Sequence, residues 1–256
     1  MRSFTFFRKE IMENVRRNRL LAVGIVFLLI AILGPTTALL TPKLLELVSA
    51  EMAANGLTLG ETDITVMDSW AQFFKNLDIP LIVILIMWAG TFTGEYQKHT
   101  LIPLMTKGLS RTDVYVAKTV FLGLVWTVGY ALYFGVAYGY NEFYWGNGTV
   151  QNIASAVLFY WIFGLWLVSL IGFFSSLAES SGQVLLGVGG SFALCLLLEI
   201  VPKLGSKLPT ALKGGLALMQ GKKEVKDYLA ALAVTLVLTA IGFVGGLLMI
   251  QKKDFD

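Results

Sequence analysis

Apolar positions in this chain gather into long unbroken runs instead of alternating with polar ones. Six runs, over residues 20–40, 77–93, 119–140, 153–174, 184–201 and 228–250, are rich in Leu, Ile and Val. About 20 residues rising 1.5 Å each cross the roughly 30 Å of hydrocarbon in a bilayer, so each run predicts a transmembrane helix. A membrane β-barrel would instead read as segments of about ten residues with alternating polarity. The expected fold class is therefore all-α, a polytopic membrane protein with six transmembrane helices.

The polar, glycine and proline positions between the runs mark how these helices end. Gly34-Pro35 should bend or break the first span near its outer end, and Asp78 can cap the second with Pro80 in its first turn. Residues 42–54, PKLLELVSAEMAA, keep apolar positions at helical spacing and predict an external helix. The stretch 205–227 is too long for a tight turn and sets Leu208, Leu212, Leu216 and Leu218 among glycines and lysines. Short helices resting at the outer interface, or dipping in and out, fit it.

Before the first span, MRSFTFFRKEIMENVRRNRL places Phe4, Phe7, Ile11 and Val15 on one face and basic residues around the other. That pattern suits a helix lying in the interface with its arginines near anionic headgroups; a plain extension of the first span with basic flanks fits the same residues. The first apolar run starts only at Leu20 and lacks an obvious small-residue cleavage site, so it reads as a retained helix. With no internal repeat or low-complexity tract, one membrane domain is expected over 1–256. Within it stand an interfacial helix over 1–19, a polar connector over 94–118 and an outer segment over 202–227.

Composition agrees with this reading: 56% of the 256 residues are hydrophobic, 14% are charged and the mean hydropathy is +0.71, far from a soluble domain of that length. Charge placement then sets orientation. The N-terminal segment carries Arg2, Arg8, Lys9, Arg16, Arg17 and Arg19, and loops returning to the same side add Lys98, Lys107, Arg111, Lys118, Lys252 and Lys253. Both termini are expected to be cytoplasmic. The opposite side opens with Glu46, Glu51, Glu61, Asp63 and Asp68, but its last loop is basic, with Lys203, Lys207, Lys213, Lys222, Lys223 and Lys226, against the rule. Cys195 is the single cysteine; inside the fifth span it excludes an intrachain disulfide and reads as a small core residue.

Small residues recur at four-residue spacing in Gly135/Gly139, Gly172/Ser176, Gly187/Ser191 and Gly242/Gly246, which permits close helix packing within a subunit or at a dimer seam. Tyr138, Tyr140, Phe143, Tyr144 and Trp145 read as an interfacial belt. Tyr160, Trp161 and Trp166 read as lipid-facing anchors or, alternatively, as a cavity lining. Asn147-Gly148-Thr149 matches a glycosylation acceptor.

Several chemistries are missing. No GxxxxGK[ST] loop occurs, and Gly187, Gly189 and Gly190 lie inside an apolar span where no nucleotide could reach them. His99 is the lone histidine, so an HExxH zinc site has no ligands. The middles of the spans carry no charge, unlike transporters coupled to ion gradients, where each buried charge costs about 2.5–3.5 kcal/mol. Glu199 and Glu95 fall at span ends and Glu179 in a loop, where solvated or interfacial roles suffice. A charge-free bundle with an elaborate polar connector is what a protein moved by a separate motor would look like. A secondary transporter or channel, and a noncatalytic scaffold or immunity protein, remain as alternatives.

The connector GEYQKHTLIPLMTKGLSRTDVYVAK resembles the segment between the second and third membrane helices of type-2 ABC exporter permeases. In that family an acidic residue, a Thr-Leu pair, a Ser-Arg pair and a Lys follow in order, and Glu95, Thr100-Leu101, Ser110-Arg111 and Lys118 occupy those places. The resemblance extends to the basic N-terminal helix, the six spans, the long outer segment before the sixth and the charged tail QKKDFD. His99 replaces a common glycine, and Gly108-Leu109 replaces a frequent Pro-hydrophobic pair.

The resemblance implies a cytoplasmic coupling helix between helices 2 and 3, seated in a groove of a separate ABC ATPase subunit. It also implies a second permease subunit, homodimeric or heterodimeric. The implied contact residues are Glu95, Tyr96, His99, Thr100, Leu101, Ile102, Leu104, Met105, Lys107 and Arg111. Leu101, Leu104 and Met105 would form one apolar face, bounded by charged side chains. ATP and Mg would sit on the partner, leaving this chain with no cofactor, no metal and no catalytic residue. The remaining expectations are contact with membrane lipid, none with nucleic acid, a bacterial plasma-membrane location and export of a peptide, amphipathic toxin or hydrophobic drug.

Overall fold

The computed structural model describes residues 2–54, 64–97 and 108–253, and all of its regular structure is helical. In chain order the helices are α1 (Arg2–Arg16), α2 (Arg19–Ala54), α3 (Val66–Asn76), α4 (Asp78–Trp88), α5 (Thr93–Gln97) and α6 (Arg111–Tyr144). They continue with α7 (Ile153–Leu177), α8 (Ser181–Glu199), α9 (Pro202–Gly205), α10 (Gly215–Met219) and α11 (Leu229–Lys252), with 3-10 turns at Pro209–Lys213 and Val225–Tyr228. Among the described residues six stretches are long and apolar enough to cross a membrane: Arg19–Thr41, Val66–Gln97, Arg111–Tyr144, Ile153–Leu177, Ser181–Glu199 and Val225–Lys252. These are the six runs read from the sequence, most of them lengthened at their ends.

Local chemistry explains where several helices start. Thr65 and Asp68 form a capping box at α3, Ser180 and Gln183 form another at α8, and the Ser110 hydroxyl accepts from the Asp113 amide at 3.0 Å at α6. Two expectations about helix ends need correction. The first helix is not interrupted at Gly34-Pro35; α2 is helical from Arg19 to Ala54 and takes in the predicted external helix. Packing holds this stretch, since Gly34 lies against the α3 backbone at Gln72 and Phe73. Nor does Asp78 cap a span: Leu77 keeps helical dihedrals, α3 leads into α4 with the apolar stretch starting at Val66, and no side chain caps α4.

The bundle is held most extensively by α7 against α11 and by α2 against α6. Bulky rings fill pockets left by glycines. Phe27 lies where a Cβ on Gly129 would be, Trp126 does the same at Gly164, and Tyr115 at Gly246. Gly242 meets Ser169 on α7, so the α11 glycine pair serves packing within the chain. Gly135 and Gly139, by contrast, face open space.

Several buried rings direct their polar tips at backbone acceptors, as an apolar surround favours. Trp126 donates to the Trp161 carbonyl at 2.9 Å, Tyr130 to Val157 at 2.7 Å and Tyr133 to Phe73 at 3.0 Å. Tyr160 and Trp166 are buried and Trp161 half-buried, so the expected lipid-facing anchors are core residues. The belt residues Tyr138, Phe143 and Tyr144 are exposed.

The segment between α8 and α11 folds into short helices, as expected. It packs down onto the bundle through Leu212, Leu218 and Met219, all buried. Asn147 is buried as well. Its Nδ2, the atom a glycan would need, donates to the Tyr138 carbonyl at 3.2 Å and Glu142 Oε2 at 2.9 Å, while its Oδ1 accepts from Trp70 at 3.2 Å. The glycosylation reading is therefore replaced by a structural one.

Candidate functional site

Both roots of the polar connector sit at the end of the bundle that carries the two chain termini. On one side the second span ends in α5, bearing Glu95 and Tyr96; on the other, Gly108 and Ser110 lead into α6. Gly108 has φ +85°, a conformation that side-chain-bearing residues rarely adopt, which accounts for glycine where the family resemblance suggested proline. His99, Thr100, Leu101, Ile102, Leu104, Met105 and Lys107 lie outside the described residues.

The first root closes on a buried ion network. Lys118, on the first turns of α6, is 2% exposed, and its Nζ stands 3.0 Å from Glu10 Oε1 and 3.2 Å from Glu95 Oε2. Lys9 faces the same carboxylates from α1, 3.1 Å from Glu95, 3.4 Å from Glu10 and 3.3 Å from Glu13, and Arg17 takes Glu13 at 2.9 Å. Lys118 also lies over the Phe6 and Phe92 rings, at 5.8 and 5.7 Å from their centroids.

Beside it, Asn14 donates to the Glu10 carbonyl at 2.9 Å and accepts from the Trp88 indole at 3.1 Å. Three elements far apart in sequence, α1, α5 and α6, thus meet through charge. A buried ammonium without partners would cost several kcal/mol, so the network holds these elements in register.

The electrostatics around α1 follow from this geometry. Burial pushes the Glu13 carboxyl up, but Lys9, Arg17 and Lys118 outweigh it and hold the group below its ordinary value. Burial pushes the Lys9 ammonium down, and Glu95, Glu10 and Glu13 more than reverse it. Glu10, Glu13 and Glu95 present oxygens within 4.8 Å of one another, a spacing that would suit a divalent cation. Lys9 and Lys118 contact those same oxygens, which makes the cluster an ion-pair network.

The second root is tied to the C-terminal end of the last span. Arg111 donates to the carbonyls of Gln251 at 3.0 Å and Lys253 at 2.5 Å, and Gln251 donates to the Thr112 hydroxyl at 3.2 Å. Lys253 donates to the Ala178 carbonyl at 2.5 Å and lies 4.3 Å over the Tyr96 ring; Gln97 donates to the Glu179 carbonyl at 3.1 Å. Burial lowers the Lys253 ammonium, with Glu179 opposing. Of the ten residues singled out from the sequence, Glu95, Tyr96 and Arg111 are therefore engaged inside the chain.

Sequence reasoning missed Glu10 and Asn14. Of the apolar face of α1 read from the sequence, only Phe7 packs inward, against Phe121, and the side chain of Phe4 lies outside the described residues. Phe6, Glu10 and Asn14, at four-residue spacing, are the buried stripe, while Ile11 and Val15 are exposed. A carboxylate and an amide in line with a phenylalanine was the available signal.

At the opposite end of the bundle a smaller polar contact joins the second span to the outer segment. Asp78 pairs with Lys213 at 2.7 Å and accepts from the Tyr160 hydroxyl at 2.5 Å. Lys213 lies over the Phe163 and Phe192 rings, at 5.8 and 5.3 Å. Asp78 borders an apolar cavity of about 140 Å³ between α4, α7 and α8, with Leu81, Leu167 and Val188 among its walls. The basic segment between α8 and α11 thus meets the bundle at Lys213.

A family model described as an ABC-2 family transporter protein matches residues 4–235, which take in nearly all of α1, the connector and the first five spans and end in the first turns of the sixth. No curated protein matches the chain.

Proposed function

Because the chain belongs to the ABC-2 family of transporter proteins, whose permeases are non-catalytic and generally partner a nucleotide-binding ATPase subunit, we propose how this permease is driven and what it carries. The connector over 94–118 is the coupling segment that seats in a groove of the ATPase. His99, Thr100, Leu101, Ile102, Leu104, Met105 and Lys107 supply the contact, and Glu95, Tyr96 and Arg111 root its two ends. ATP and Mg act on the partner. Two permease subunits assemble with two ATPases, both termini face the cytoplasm of a bacterial cell, and the cargo is an exported peptide, amphipathic toxin or hydrophobic drug.

The observation that carries this reading is the double rooting of the connector. A push on residues 98–107 is delivered through Glu95 and Lys118 to α1, and through Arg111 to the end of α11. Closure of the motor would then shift helices as a set, converting between two bundle packings by population shift.

The test is to extract the chain from its native membrane in mild detergent and identify what accompanies it, then measure flux in vesicles. A co-purifying nucleotide-binding ATPase and ATP-dependent flux are expected. Absence of that partner together with flux that follows an ion gradient would overturn the proposal.

A further inference from the structure

A second groove, of about 290 Å³, runs between α2 and α6 beneath the apolar face of α1. Phe7 and Ile11 roof its end near the termini, Leu20 and Gly24 form one wall, and Phe121 through Leu132 form the other. Every lining residue is apolar. From Phe121 to Leu132 the α6 wall covers roughly 16 Å at about 1.5 Å per residue, half of the ~30 Å hydrocarbon core and so the depth of one leaflet.

Three arginines cluster near the mouth. Arg16, Arg17 and Arg19 come within four residues of Leu20, at a turn where Asn18 takes φ +54°. The neighbouring carboxylates are already neutralised, Glu10 by Lys118 at 3.0 Å and Glu13 by Lys9 at 3.3 Å and Arg17 at 2.9 Å. Among the described residues Arg16 and Arg19 have no carboxylate in ion-pair contact. An apolar slot one leaflet deep, close in sequence to two arginines outside any ion pair among the described residues, fits a phospholipid with an anionic headgroup.

We propose that the groove between α2 and α6 holds one acyl chain of an anionic phospholipid from the leaflet beside α1, with Arg16 and Arg19 binding its headgroup. Gly24 gives the slot its width. A Cβ built there meets nothing within 4 Å, so a larger side chain would enter the slot without striking the protein. Gly129, on the opposite wall, is instead closed by Phe27.

The test is native mass spectrometry of the full-length protein released from nanodiscs containing equal parts phosphatidylglycerol and phosphatidylcholine. Wild type is expected to retain one phosphatidylglycerol per chain, about tenfold over phosphatidylcholine. Gly24→Leu should lose it, and Gly135→Leu, equally open at its Cβ but outside the slot, should keep it. Arg16→Gln with Arg19→Gln should bring the two lipids close to equal.

Equal retention by wild type, or wild-type retention by Gly24→Leu, would overturn the proposal. So would a Gly24→Cys variant that crosslinks to a second copy in the membrane, since that face would then be a protein interface. If Gly24→Leu fails to melt cooperatively, the arginine variant decides: an unchanged headgroup preference overturns the proposal.

Discussion

Replacing Lys118 with methionine isolates the charge in the network that joins α1, α5 and α6. Methionine keeps most of the stem that packs near Phe6 and Phe92 but removes the ammonium 3.0 Å from Glu10 and 3.2 Å from Glu95. Glu10 is 3% exposed at its side chain and Glu95 15%, so both carboxylates lose a partner that water cannot replace. Breaking a buried pair from one side costs about 3–5 kcal/mol. Lys9 stays within 3.4 Å of both carboxylates, though its side chain is 41% exposed, which places the expected loss near ~3 kcal/mol.

Lys118→Met combined with Glu10→Gln removes one stranded charge along with its partner and should recover about half of that loss. Denaturant titration of the purified protein in micelles measures both. A Lys118→Met variant within ~0.5 kcal/mol of wild type, or a double variant less stable than the single, would refute the reasoning.

Other consequences can be checked in the same preparation. Asp78→Asn at the opposite end should cost less than Lys118→Met, because the Asp78 and Lys213 side chains are 44% and 25% exposed and are not enclosed by protein as Lys118 is; an equal loss would contradict this. Asn147→Ala strands the buried Trp70 indole and should cost about 2 kcal/mol, with no glycan on the wild-type residue by mass mapping.

The docking of α1 should depend on pH at both extremes. Glu13 is held below its ordinary value, so its contribution is complete above about pH 4.3 and is lost as pH falls through the depressed value. Lys9 is held above its own, so its contribution is complete below about pH 10.4 and is lost as pH rises through the raised value. Hydrogen-exchange protection of the α1 amides, after correction for the intrinsic pH dependence of exchange, should be greatest between those limits, and a flat protection profile would argue against the ion network.

The spans were legible because uninterrupted apolar length is a one-dimensional property, and the short outer helices because glycine and lysine punctuate them. What escaped reading depended on neighbours distant in sequence. Pro35 breaks helices in isolation, yet α2 continues because Gly34 lies against α3. Tyr160 and Trp166 look like interfacial anchors until Asp78 and the ring packing around Phe163 place them inside. Asn147 matched a surface motif of three residues and lost to hydrogen bonds with Tyr138 and Glu142 on the preceding helix and with Trp70 across the fold.

At the connector, the order of Glu95, Ser110-Arg111 and Lys118 marked the segment, but their inward engagement was hidden. Glu10, the residue that completes the network, lies 108 positions from Lys118.

The central claim, that an ATPase grips this permease at residues 98–107, is tested most directly by Leu101→Asp with Leu104→Asp. In a quantitative pull-down from native membranes, wild type should carry a nucleotide-binding ATPase. The variant should lose that partner while retaining the wild-type melting profile. A folded variant that still binds the ATPase as wild type does would contradict the account.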